Sequence, residues 1–127
     1  MSQDTMTVAN RLVELCRTGG FMEAVEELYA DDAVQIEALE MPGPMPKVTQ
    51  GKAALVESHK QFSQSVDVHN VDVGEPYPHE DRFIVSMVMD HTPKQGPMAG
   101  KRTEAKEMCL YTVKDGEITK AEFFYAE

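Results

Sequence analysis

Leu28-Tyr29-Ala30-Asp31-Asp32-Ala33, running on into Val34-Gln35-Ile36-Glu37, is where the chain changes period. Upstream, Phe21, Met22, Val25, Leu28 and Tyr29 recur at the three-to-four-residue spacing of a helix face, which predicts a short helix from about Phe21 to Leu28. Downstream, Val34, Ile36 and Ala38 alternate with Gln35, Glu37 and Leu39, the two-residue period of a strand over 33–39. A helix that runs into a strand through an acidic junction fixes the reading of its surroundings.

On the N-terminal side, residues 4–18 predict a helix with Val8, Leu12, Leu15 and Cys16 on one face. Ser2 or Asp4 is placed to cap it, and Gly19-Gly20 stops it, because glycine takes the left-handed turn after a helix at no steric cost. On the C-terminal side, Met41-Pro42-Gly43-Pro44-Met45-Pro46 reads as a loop, since its prolines remove donors and fix φ. Its methionines would make a soft lip over an apolar opening. A third helix follows from about Gly51 to Gln64, with Leu55, Val56, His59 and Phe62 inward.

The rest reads as strands near 66–75, 80–92, 101–113 and 117–126, with Lys114-Asp115-Gly116 as a tight turn and 93–100 as a longer connection. The order α-α-β-α followed by hairpins predicts α+β: three helices in the N-terminal half packed on one curved, mostly antiparallel sheet. Both faces of the strand at 83–92 are largely apolar: Phe83, Val85, Met87 and Met89 on one, and Ile84, Ser86, Val88 and Asp90 on the other. A sheet with one solvated face alternates more cleanly. Helices are therefore expected on one side and a second copy of the chain on the other, a homodimer through the outer sheet face.

The 127 residues suit one domain, spanning 1–127, and are enough to bury a core without staples. A net charge of −10 repels phosphate, which argues against nucleic-acid and anionic-membrane partners. No apolar run reaches membrane-spanning length and no basic segment precedes an apolar leader, so a cytoplasmic location is expected. Cys16 and Cys109 fall on an apolar helix face and inside a strand, and are expected to be buried, reduced thiols.

Chemistry is expected on the strand 101–113. There Ala105, Glu107, Cys109 and Tyr111 share a face that, with Ala121, Phe123 and Tyr125, would wall a cavity. If the preceding loop closes symmetrically near 98 and 99, Asp90 stands opposite Glu107, with Cβ atoms about 4.5–5.5 Å apart. Two carboxyl groups that close in an apolar wall would not both ionise, and one would become a general acid or a neutral donor. A slip of one residue would put them on opposite faces. His69, His79 and His91 share no spacing with acids that suggests a metal, and no nucleophile triad, phosphate loop or dinucleotide fingerprint is present.

The Ala30-Asp31-Asp32-Ala33 junction, the Gln50-Gly51 helix start, and the Asp115-Gly116-Glu117-Ile118 turn leading to Phe123-Phe124-Tyr125 resemble the SnoaL-like and nuclear transport factor 2-like superfamily. That cystatin-like α+β fold includes ketosteroid isomerases, limonene epoxide hydrolases and polyketide cyclases. The resemblance implies a cone with an internal hydrophobic pocket. In the isomerases a carboxylate base follows the junction at the position of Glu37. Leu12 and Cys109 stand roughly where their oxyanion donors lie, so Glu107 or Tyr111 would have to substitute. Against the epoxide hydrolases, Asp90 matches the first aspartate of the water-activating set. Val88 replaces its arginine and Phe123 its second aspartate, so that mechanism is not implied.

The expectation is then a hydrophobic small-molecule partner and cofactor-free, metal-free proton transfer of the isomerase or cyclase kind on a carbonyl compound. Glu37 or Asp90 would be base and Glu107 acid or donor. Leu12, His59, Val88, Cys109, Tyr111, Phe123 and Tyr125 would line the pocket. The alternative is a non-catalytic ligand-binding or dimerisation domain of the same fold, since this architecture hosts both.

Overall fold

The computed structural model describes residues 2–38 and 47–126. The expected proline-rich loop at 41–46 lies outside them. Helices α1 (Ser2–Arg17) and α2 (Phe21–Leu28) lead into β1 (Tyr29–Glu37). A short strand β2 (Val48–Gln50) precedes α3 (Lys52–Ser65). Then come β3 (Val66–Val73), β4 (Tyr77–His79), β5 (Arg82–Pro93), β6 (Thr103–Lys114) and β7 (Glu117–Tyr125).

The α1 stop forms as its glycines require. Gly20 donates to the Leu15 carbonyl at 2.9 Å and Gly19 to the Cys16 carbonyl at 3.0 Å, with Gly19 at φ +80°. Asp4 lies inside the first turn of α1 rather than ahead of it, so it is not the cap. Gly51, at φ +96°, caps α3 and donates to the Ala33 carbonyl at 2.7 Å. That bond ties the start of α3 to β1.

The sheet order is β2-β1-β7-β6-β5-β3, with β4 paired to β5 outside that path. All pairings are antiparallel except β1 with β7, which are parallel. The result is an α+β cone: a mixed, mostly antiparallel curved sheet with the helices on its concave face. The core forms where the helix stripes (Leu12, Val25, Leu55) meet the inner sheet residues (Phe83, Val85, Cys109, Ile118), each of which is almost fully buried. Among the described residues no helix is long and apolar enough to cross a membrane.

Two departures have local causes. The β1 strand begins at Tyr29 rather than 33; Asp31 and Asp32 are both exposed at a bulge that breaks the alternation. The expected strand at 80–92 is β5, and a short unexpected strand, β4, precedes it and pairs back onto it through a turn with Glu80 at φ +56°.

The β5–β6 register also differs from the symmetric hairpin. Met87, not Asp90, stands opposite Glu107, and Asp90 stands opposite Glu104. The connection folds on itself instead of closing at its midpoint. Gly100 donates to the Pro93 carbonyl at 2.8 Å, Ala99 to Gly96 at 3.1 Å and Lys101 to Met98 at 3.0 Å. The odd-numbered slip moves Asp90 to the outer face. Val88 pairs with Lys106 on that same face, so it does not line the pocket either. The outer face remains partly apolar: Ile84 is 36% exposed, Met108 43% and Phe124 46%.

Candidate functional site

Between the concave face of the sheet and the three helices lies a cavity of about 160 Å³. Most of its wall is apolar or aromatic, built from Leu12, Phe21, Phe62, Met87, Met89, Tyr111 and Phe123 among others. Tyr111 stacks on Phe83 at 4.9 Å between ring centroids and meets Phe123 edge-on at 6.2 Å, which fixes its position in the wall. No lysine or arginine lines the cavity among the described residues.

Its polar end is made by three adjacent strands. The parallel pairing of β1 with β7 sets Glu37 beside Phe123, and the antiparallel pairing of β7 with β6 sets Tyr125 opposite Glu107. Side chains two residues apart on a strand share a face, so Gln35, Glu37, Glu107, Phe123 and Tyr125 all point inward. The Tyr125 hydroxyl donates a hydrogen bond to Oε2 of Glu37. The Gln35 amide donates to Oε1 of the same carboxyl at 3.3 Å. Glu37 is 5% exposed and Gln35 4%.

Burial sets the acid–base character. It pushes Glu37 above the usual carboxyl range, opposed by the hydrogen bonds from Tyr125 and Gln35. It pushes Glu107 up to about 7, helped by the nearby charge of Glu37 and opposed by Tyr125. A buried and a half-buried carboxyl group lining one apolar cavity do not ionise together easily. Glu37 carries two donors and so takes the charge first. Glu107 keeps its proton to near neutrality. Burial raises the Cys16 thiol to about 12 and the Cys109, Tyr29, Tyr111 and Tyr125 protons further, so these groups are neutral at physiological pH. Burial lowers His59, which favours the neutral imidazole.

Eight of the expected site residues come together here: Glu37, Glu107, Leu12, His59, Cys109, Tyr111, Phe123 and Tyr125. Asp90 does not. On the outer face it accepts two hydrogen bonds from the Arg102 guanidinium, at 2.9 and 2.7 Å, which hold its carboxyl below the usual range. The carboxyl that shares the cavity with Glu107 is Glu37. Sequence reasoning missed His91, which lines the cavity with Nδ1 3.2 Å from the Met89 carbonyl. The alternation of Met87 and Met89 extends to it. The inward amide of Gln35 was missed as well, though it shares the face of Glu37.

The SnoaL-like domain profile matches residues 3–125. A crystal structure from Mesorhizobium loti, described as a candidate SnoaL-like polyketide cyclase, is 37% identical, covers 94% of this chain and 97% of its own, and superposes with a TM-score of 0.84. A protein described as a candidate isomerase from Bacillus subtilis is 16% identical over 98% of this chain and 87% of its own, with a TM-score of 0.74. A protein of ketosteroid isomerase-like fold from Catenulispora acidiphila, solved with trimethylamine, is 16% identical over 94% of this chain and 85% of its own, with a TM-score of 0.71. At that identity the last two speak to the fold alone. Among curated proteins none matches. With its profile spanning almost the whole sequence and a relative above one-third identity along nearly its full length, the chain belongs to the SnoaL-like domain family.

Proposed function

We propose that the protein is a cofactor-independent acid–base enzyme that moves a proton on a small, apolar carbonyl compound held in the cavity. The observation that carries this reading is the Glu37–Tyr125–Glu107 arrangement inside an apolar wall. The Glu37 carboxylate takes a proton from the carbon next to the carbonyl. The Glu107 carboxyl donates to the carbonyl oxygen as charge develops there. Returning the proton to a second carbon gives an isomer, and attack of the enol carbon on another carbonyl gives a cyclised product. The description of the 37% identical relative as a candidate SnoaL-like polyketide cyclase accords with this chemistry.

Cavity size narrows the substrate. An apolar cavity of roughly 150 Å³ accepts benzene, and this one, at about 160 Å³, suits one ring inserted with its carbonyl toward Glu107. We also assign the outer sheet face, with Ile84, Met108 and Phe124 exposed on it, to pairing with a second copy of the chain.

The test is carbon-acid exchange. The protein is incubated in D2O with a panel of one-ring unsaturated ketones, and deuterium uptake next to the carbonyl is followed by proton NMR. Uptake is expected with wild type, and Glu37→Gln should slow it by about 10²- to 10⁴-fold. Ketones that bind without any enhanced uptake would leave a binding protein, not an enzyme.

A further inference from the structure

Two carboxyl groups, Glu37 buried and Glu107 half-buried, share the cavity, and residue type alone does not say which is the base. Tyr125 supplies one part of the difference, because its hydroxyl donates to Oε2 of Glu37. Gln35 supplies the second donor, again to Glu37. Its Nε2 lies 3.3 Å from Oε1 of Glu37. Its own Oε1 is buried and has no hydrogen-bond partner among the described residues. A buried carbonyl left unpaired is costly and calls for an explanation. The amide could turn over to present its oxygen to a protonated carboxyl, but an ionised carboxylate accepts only and demands the NH2 group. The stranded oxygen is what remains when the amide serves an anion.

We propose that Gln35 is the positioning residue that, together with the Tyr125 hydroxyl, assigns the two roles, holding Glu37 as the carboxylate and leaving the proton on Glu107. The proposal rests on the acid–base reading of the cavity given above. The other groups facing the pair do not supply this asymmetry. They are Cys16 from α1, Tyr29 from β1, His59 from α3, His91 from β5, and Cys109 and Tyr111 from β6. The thiols and phenols are held neutral by burial, as is the His59 imidazole. His91 lies 3.2 Å, through Nδ1, from the Met89 carbonyl. No lysine or arginine lines the cavity among the described residues.

The experiment follows the side-chain carboxyl carbons of Glu37 and Glu107 by NMR from pH 3 to 9, in wild type and in Gln35→Met, which keeps the length but neither donates nor accepts. In wild type Glu37 should ionise first and Glu107 last. In Gln35→Met, Glu37 should become about tenfold less acidic, the cost of one donor to a charged acceptor. The Glu107 step should fall correspondingly, so that the two steps merge or exchange order. Unchanged order and spacing in the variant would overturn the proposal. A second reading needs no variant: the side-chain NH2 signals of wild-type Gln35 should shift through the Glu37 step. Signals that stay flat there sink the proposal even if Gln35→Met does not fold. If both wild-type carboxyls titrate in the ordinary range, the acid–base reading itself fails, and this proposal with it.

Discussion

Replacing Glu107 with glutamine should make the protein more stable at pH 8 while removing its proton donor. In the folded state the Glu107 carboxyl is raised from 4.5 to about 7, first by burial and then by the charge of Glu37. Between those pH values the folded chain holds a proton that the unfolded chain releases. Stability is therefore full below 4.5, falls as pH rises, and levels off above about 7. At about 1.4 kcal/mol per pKa unit, the shift is worth at most roughly 3 kcal/mol. Glu107 is partly open to the cavity, so water screening reduces this to about 1–3 kcal/mol. Glutamine has the same shape and cannot ionise. Urea unfolding at pH 5, 6, 7 and 8 and fixed protein concentration should show wild type losing stability along the series. Glu107→Gln should exceed it at pH 8 by about 1–3 kcal/mol and match it near pH 5. Each kcal/mol should appear as roughly 3–5 °C in Tm for a domain of this size. Raised Glu37 contributes in the same direction, so a smaller slope should survive in the variant. A flat wild-type profile, or a variant weaker than wild type at pH 8, would refute the claim that these carboxyls ionise at the expense of the fold.

Tyr125→Phe removes the hydroxyl that donates to Glu37, so the Glu37 carboxyl should titrate higher than in wild type and stability at pH 8 should drop by about 1–3 kcal/mol, read by carboxyl NMR and urea unfolding. As a control, Asp90→Asn on the outer face should leave the Glu37 and Glu107 titrations where they are. Phe124→Lys places a charge on the exposed apolar patch beside Met108, its partner across β6 and β7. Light scattering should then give half the wild-type mass; a wild type that is itself monomeric at micromolar concentration rules out the interface.

Much of the architecture was legible because long elements carry a period. The helix faces of α1 and α2, the inner row Phe83-Val85-Met87-Met89 and the glycine stop after α1 all read directly from spacing. The β2 and β4 strands did not, for a physical reason. Three residues complete no recognisable repeat, and both strands exist because a neighbour offers free backbone groups. The early start of β1 was hidden by Asp31 and Asp32, two consecutive outward side chains that break alternation at the bulge.

The site was legible by face but not by partner, and the difference lies in how each strand is joined. Alternation alone put Glu107, Cys109 and Tyr111 on one wall and Glu37 on the face of Gln35. Which carboxyls meet depends on register, and register in the β5–β6 hairpin is set by turns inside the 94–102 connection whose hydrogen bonds leave no periodic trace. Asp90 was lost to that offset. The true partner, Glu37, comes from the other end of the chain, through a parallel pairing of β1 with β7 that no tight turn announces. That pairing also explains why the polar end of the cavity is so sparsely neutralised. The strands meeting there contribute two acids, a tyrosine and an amide, and every cation on them points elsewhere: Lys106 and Lys120 face away from the cavity and Lys114 closes a turn. With no counter-charge inside, the only ways to lower the energy of the pair are to share a proton or to recruit hydrogen-bond donors. Tyr125 and Gln35 are the donors that the described residues provide.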